Sequence, residues 1–174
     1  MTPPLRGSWD GQLAPFGTPT RPTPTANRCM TDRYFVDTNI LVYSRDARDQ
    51  TKHQIARRWL AELWSSGSGR ISTQVLKEYY QTVTRRLTPG MAVEDARADV
   101  RDLQTWKPLE LTAETFEQAW LIEDQMHISW WDALIVAAAR QSGCNFLISE
   151  DLQSGQTIEN LTIINPFTTA INER

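Results

Sequence analysis

Cysteine and histidine are scarce in this chain of 174 residues: two cysteines, Cys29 and Cys144, and two histidines, His53 and His127. Two thiols make no disulfide framework and exclude a cysteine-rich zinc site, so both read as reduced thiols of a cytoplasmic protein. Each histidine stands alone and reads as a surface or satisfied side chain rather than a ligand. No apolar run approaches the ~20 residues that a membrane-spanning helix needs, so no membrane partner is expected. Positive charge is not in excess either. The 18 Lys and Arg against 21 Asp and Glu leave a formal net charge of −3, which argues against bulk electrostatic binding of a polyanion. It leaves room for an acidic pocket that attracts phosphate once a cation fills it. No glycine-rich loop follows the first apolar run, which excludes a dinucleotide-binding turn.

What remains is an ordinary globular composition, 40% hydrophobic and 22% charged, at a length that suits one domain. Residues 1–31 differ from the rest. They hold six of the nine prolines, show no helical or strand period, and read as a disordered tail. No continuous apolar segment marks them as a signal peptide. Met30 would be a natural start, and the folded domain is expected over 32–174.

From Arg33 onward, strand and helix patterns alternate. Arg33–Asp37 is a short apolar strand ending in an acid. Ile55, Trp59 and Leu63 make a helical stripe over 51–66, and Ser65-Ser66-Gly67-Ser68-Gly69 breaks it. A short strand at Arg70–Ser72 precedes a helix with Leu76, Tyr79, Tyr80, Val83 and Leu87 on one face. Val93, Ala96, Val100, Leu103 and Trp106 mark another helix, and Pro108–Leu111 a weak strand. Thr112 reads as the cap of a helix burying Phe116, Ala119 and Trp120. Ser129 and Gly143 bracket the next helix. Asn145–Ser149 and Leu161–Ile164 are late strands. This alternation predicts an α/β fold, a parallel sheet covered by helices on both faces.

Four acids fall where such a sheet gathers its chemistry. Asp37 and Asp151 follow strands; Glu78 and Asp132 lie near helix starts. Those places meet at one sheet edge, where open α/β sheets bind ligands. Taken singly, each acid has an ordinary role: Asp37 a helix cap, Asp132 a dipole-complementing acid three residues after Ser129, Glu78 a boundary residue, Asp151 a turn residue. Their joint order favours a hard cation such as Mg²⁺ (or Mn²⁺), which wants oxygen ligands.

The segments Phe35–Tyr43, Ser72–Tyr80, Trp131–Ala139 and Leu147–Gly155, closed by Leu161–Phe167, resemble a PIN-domain ribonuclease of the VapC toxin type. The resemblance runs from about Arg33 to Phe167. It implies a three-layer α/β/α fold with a parallel five-stranded sheet in the order 3-2-1-4-5. It implies Mg²⁺- or Mn²⁺-dependent hydrolysis of RNA, leaving a 5′-phosphate and a 3′-hydroxyl. Asp37, Glu78, Asp132 and Asp151 would be the metal-binding and catalytic acids, supported by Thr38, Asn39, Ser149 and Glu150, with Asp151 rather than Glu150 facing the metal. It also implies a cognate antitoxin and a homodimer.

Other readings are a housekeeping PIN nuclease without an antitoxin, or a PIN-like domain that binds without cleaving. A dehalogenase-type phosphotransferase would need a second Asp where Asn39 stands. A receiver domain would need an acidic pair near the first strand and a Lys after a late one.

Overall fold

The computed structural model describes residues 32–168. The expected disordered tail over 1–31, with Cys29, and the end of the domain lie outside these residues.

Strand β1 (Tyr34–Val36) leads into α1 (Thr38–Tyr43) and α2 (Gln50–Ser66). Strand β2 (Gly69–Arg70), α3 (Thr73–Arg85) and α4 (Val93–Leu103) follow, then α5 (Ala113–Met126) and α6 (Trp130–Gln141). Strands β3 (Phe146–Ile148), β4 (Thr157–Ile158) and β5 (Leu161–Ile164) close the chain. The sheet order is β2-β1-β3-β5-β4, parallel except for the β4–β5 pair.

Side chains set the helix ends. Asp49 accepts from the Lys52 N–H at the start of α2, and Gly67 closes it at φ 68°, a backbone state that glycine adopts without strain. Ser72 caps α3, and Thr112 with Thr115 forms the capping box of α5. Gly143, at φ 64°, lies just beyond α6.

Phe35 and Val36 on β1, and Leu147 and Ile148 on β3, are wholly buried. Neighbouring strand residues face opposite ways, so both sheet faces are covered, as the three-layer expectation required. Helix α1 packs against both α2 and α3, α3 meets α4, and α5 packs along α6, which lies on β3. Truncating a residue as central as Phe35 to alanine would cost about 3–5 kcal/mol.

The sheet departs from expectation at its two sides. The expected strand over Pro108–Leu111 is reduced to a single parallel bridge between Ser72 and Leu109. Pro108 has no N–H to donate, and the Trp106 ring lies over Gly69, within 2.5 Å of where a Cβ would stand. On the other side the two-residue β4 adds an antiparallel strand that the apolar pattern did not show.

One helix face also differs from its expectation. Phe116 and Trp120 are not the buried stripe of α5: they are 37% and 48% exposed. Thr115, Ala119 and Ile122 are buried instead. Thr115 joins the capping box and donates to Gln141 at 2.8 Å, which turns that face toward α6. Trp120 stacks on Trp130 nearer the surface.

Candidate active site

Parallel pairing of β1 with β3 brings the ends of both strands side by side. Asp37 follows β1 and caps α1, its Oδ1 accepting from the Thr38 N–H at 2.6 Å. Its Oδ2 accepts from the Ser149 hydroxyl at 2.7 Å and from the Asn39 amide at 3.2 Å. The same Asn39 amide donates to Asp151 Oδ2 at 2.9 Å, so one neutral side chain bridges two carboxylates. Ser149 Oγ also accepts from the Asp151 N–H at 3.2 Å.

Glu78, one turn into α3, is tied to the same place. Its Oε2 accepts from the Thr38 hydroxyl at 2.9 Å, and its Oε1 from the Gln74 amide at 3.0 Å. That Gln74 amide lies 3.4 Å from the Trp131 carbonyl in the first turn of α6. Gln74 thus joins α3 to the helix carrying Asp132. Asp132 itself accepts from the Ser129 hydroxyl at 2.7 Å and its N–H donates back to that oxygen. Ser129 is thus the cap of α6 and Asp132 an acid in its first turn, where it complements the helix dipole, and its charge raises the Asp37 carboxyl.

Asp37 is only 7% exposed. Burial pushes its carboxyl up to about 7, against the pull of hydrogen bonds from Ser149 and the Thr38 N–H. The negative charges of Asp151 and Asp132 push the same way. Among the described residues, no ion pair reaches Asp37, Glu78, Asp132 or Asp151.

The supporting residues divide. Thr38, Asn39 and Ser149 hold the acids, whereas Glu150 pairs with Lys52. Lys52 also donates to the Tyr43 hydroxyl at 3.2 Å and lies 4.7 Å over that ring and 5.3 Å over Phe167. Among the described residues the four acids thus have no basic partner, whereas their neighbour Glu150 has one. Lys52 is 98 residues from Glu150, and no local pattern announces their meeting. Gln74 was also missed, although it stands one helical turn before Glu78, a spacing at which side chains touch.

Among the described residues, no three acids, histidines or cysteines converge at metal-binding distance. Neutral donors hold the carboxylates apart instead. Two buried acceptors in this cluster, Asn39 Oδ1 and Gln74 Oε1, have no hydrogen-bond partner. Both amides are oriented by donating to carboxylates, so these oxygens are acceptors awaiting a donor. A hard cation that keeps part of its water shell fits this set, because Mg²⁺ binds through one or two carboxylates and reaches other groups through water. A cavity of about 420 Å³ lies at the other end of α6, among Gln118, Arg140, Cys144 and Glu159. It contains none of the four acids.

Residues 34–155 match the family model described as PIN domain. No curated protein matches the chain. Two solved structures are similar. One is Mycobacterium tuberculosis VapC20, described as a sarcin-ricin loop cleaving toxin. It is 27% identical over 66% of this chain and 86% of that one, with a TM-score of 0.47. The other is VapBC2 from Rickettsia felis, bound to a DNA fragment from their promoter. It is 17% identical over 75% of this chain and 96% of that one, with a TM-score of 0.51.

Proposed function

The chain belongs to the PIN domain family, and from that membership we propose that it is a divalent-metal-dependent endoribonuclease, the toxin of a type II toxin–antitoxin pair. One observation carries the reading. Asp37 is buried, is flanked by the acids Asp151 and Asp132, and meets only neutral donors. A carboxylate so placed is stabilised by a cation from outside the chain.

Asp37, Asp151, Glu78 and Asp132 would hold Mg²⁺ or Mn²⁺. When bound, such an ion supplies an activated water and neutralises phosphate charge. Thr38, Asn39 and Ser149 orient the acids, and the free oxygens of Asn39 and Gln74 would accept hydrogen bonds from water. Hydrolysis adds water across a P–O3′ bond and leaves a 5′-phosphate and a 3′-hydroxyl. Single-turnover cleavage of an RNA pool with Mg²⁺ or Mn²⁺ tests this, with EDTA as control. Cleavage that persists in EDTA would refute the metal requirement. A domain that binds RNA without cleaving is the second reading. The neutral Asn39 amide standing between Asp37 and Asp151 favours it, and binding without turnover in either metal would establish it.

For partners, the reading includes a homodimer and an antitoxin whose segment covers the acids. Phe116, Trp120, Leu121 and Trp131, the last 62% exposed, offer an apolar surface on α5 and α6. Light scattering that finds only monomer would remove the dimer. Among the described residues no helix is long and apolar enough to cross a membrane.

A further inference from the structure

Helix α2 carries Lys52, Arg57 and Arg58 against one acid, Glu62, in a chain whose formal net charge is −3. Its inner face, Ala56, Trp59, Leu60 and Leu63, is buried and fixes the helix in place. Arg57 and Arg58 are exposed, and among the described residues neither makes an ion pair. With Gln50, His53 and Gln54 they line a groove of roughly 340 Å³. These positions recur on successive turns, so they form one row along the helix.

The start of the helix that carries this row is anchored beside Asp151. Lys52, on another side of α2, pairs with Glu150, the neighbour of Asp151, and His53 Nδ1 lies 3.0 Å from the Tyr43 carbonyl at the C-terminal end of α1, the end opposite the one Asp37 caps. Arg57 and Arg58 stand five and six residues further on, roughly 8 Å along the axis at 1.5 Å per residue. In a chain of slightly negative net charge, one rigid element whose start is tied to the neighbour of Asp151 thus presents a basic strip.

We propose that this row is a track for the phosphate backbone of the RNA strand on one side of the cleaved bond. The inference rests on the endoribonuclease reading and adds to it where the substrate lies. Guanidinium forks match phosphate oxygens, and the glutamine amides add donors that do not depend on base identity. A local basic strip also steers a polyanion toward a protein of net negative charge. An acidic segment of a partner protein is the competing occupant.

The test measures binding of the full-length protein to a short labelled single-stranded RNA in EDTA, at several salt concentrations. Wild type, R57Q/R58Q, R57K/R58K and the control K77Q/R85Q on α3 are compared. Each single-strand phosphate contact contributes about 0.7 to the slope of log K against log salt. The slope should therefore fall by about 1.4 in R57Q/R58Q, hold in R57K/R58K, and hold in K77Q/R85Q, with thermal midpoints unchanged. An unchanged slope in folded R57Q/R58Q would overturn the track and leave the nuclease reading standing, as would loss of binding to an acidic peptide but not to RNA. A wild type that neither binds nor cleaves RNA would overturn both.

Discussion

Asp37 and Asp99 are buried to nearly the same degree, 7% and 5% exposed, in opposite surroundings. Asp99, on α4, receives Arg45 through two bonds, Nε at 2.8 Å and Nη2 at 2.5 Å, and the Tyr79 hydroxyl as well. It has its cation within the chain, and the trio ties the end of α1 to α3 and α4. Asp37 has three neutral donors, acids nearby and no cation. Burial of a carboxylate thus says little until its partners are counted. A charge answered from within serves the fold, and a charge left unanswered points to something that binds.

The largest effect separating the two should be catalytic. Asp37→Asn should lower single-turnover cleavage about 100-fold or more, on the scale of losing a positioned catalytic group. Folded Asp99→Asn should still cleave. Equal losses would erase the distinction.

Stability should move the other way. Removing one member of a buried pair costs about 3–5 kcal/mol, so Asp99→Asn should shift the denaturant midpoint sharply downward. Asp37→Asn, measured without divalent ions, should hold or raise it. A joint R45M/D99L replacement should come close to wild type, because apolar groups of similar volume often replace a buried pair without loss.

The pH dependence sharpens the contrast. The Asp37 carboxyl rises from an ordinary 3.8 to about 7 on folding, chiefly through burial. The folded protein therefore binds a proton that the unfolded chain has released. That stabilisation is complete below pH 3.8 and is lost as pH climbs through about 7. Its ceiling is roughly 4 kcal/mol at 1.36 kcal/mol per pKa unit. Metal-free wild type should lose stability over this window relative to Asp37→Asn. Parallel unfolding curves for the two proteins would contradict the assignment. The smallest effect is expected from Ser149→Ala, which removes the hydroxyl donor to Asp37 and should cost about 1–3 kcal/mol in urea unfolding.

Much of this was legible in the sequence because it is written locally. An acid after an apolar run, a Ser three residues before an acid, and a helix apolar all round at Ala133–Ala139 each reflect short-range physics. Asp37, Asp132 and the β1–β3 core followed from such patterns. The rest depends on contacts between distant segments. The Lys52–Glu150 pair and the Asn39–Asp151 bridge join residues 98 and 112 apart. Phe116 and Trp120 misled because aromatic residues at helical spacing look like core. Only the packing of Thr115 and Ala119 toward α6 reveals which side of α5 is inside. The weak third strand failed on a local fact that was visible, the proline at 108, overruled by the expectation of a regular sheet.

Both borders of the sheet end abruptly, and this limits how the molecule can grow. One border is the single Ser72–Leu109 bridge beside Pro108; the other is the two-residue antiparallel β4, followed by Glu159 at φ 53°. Neither offers a long row of open backbone groups for a strand from another molecule to extend. Concentrated protein should resist fibril-like stacking at these borders. Among the described residues the surfaces left for assembly are those of the helices, where side-chain substitutions alone can control contact.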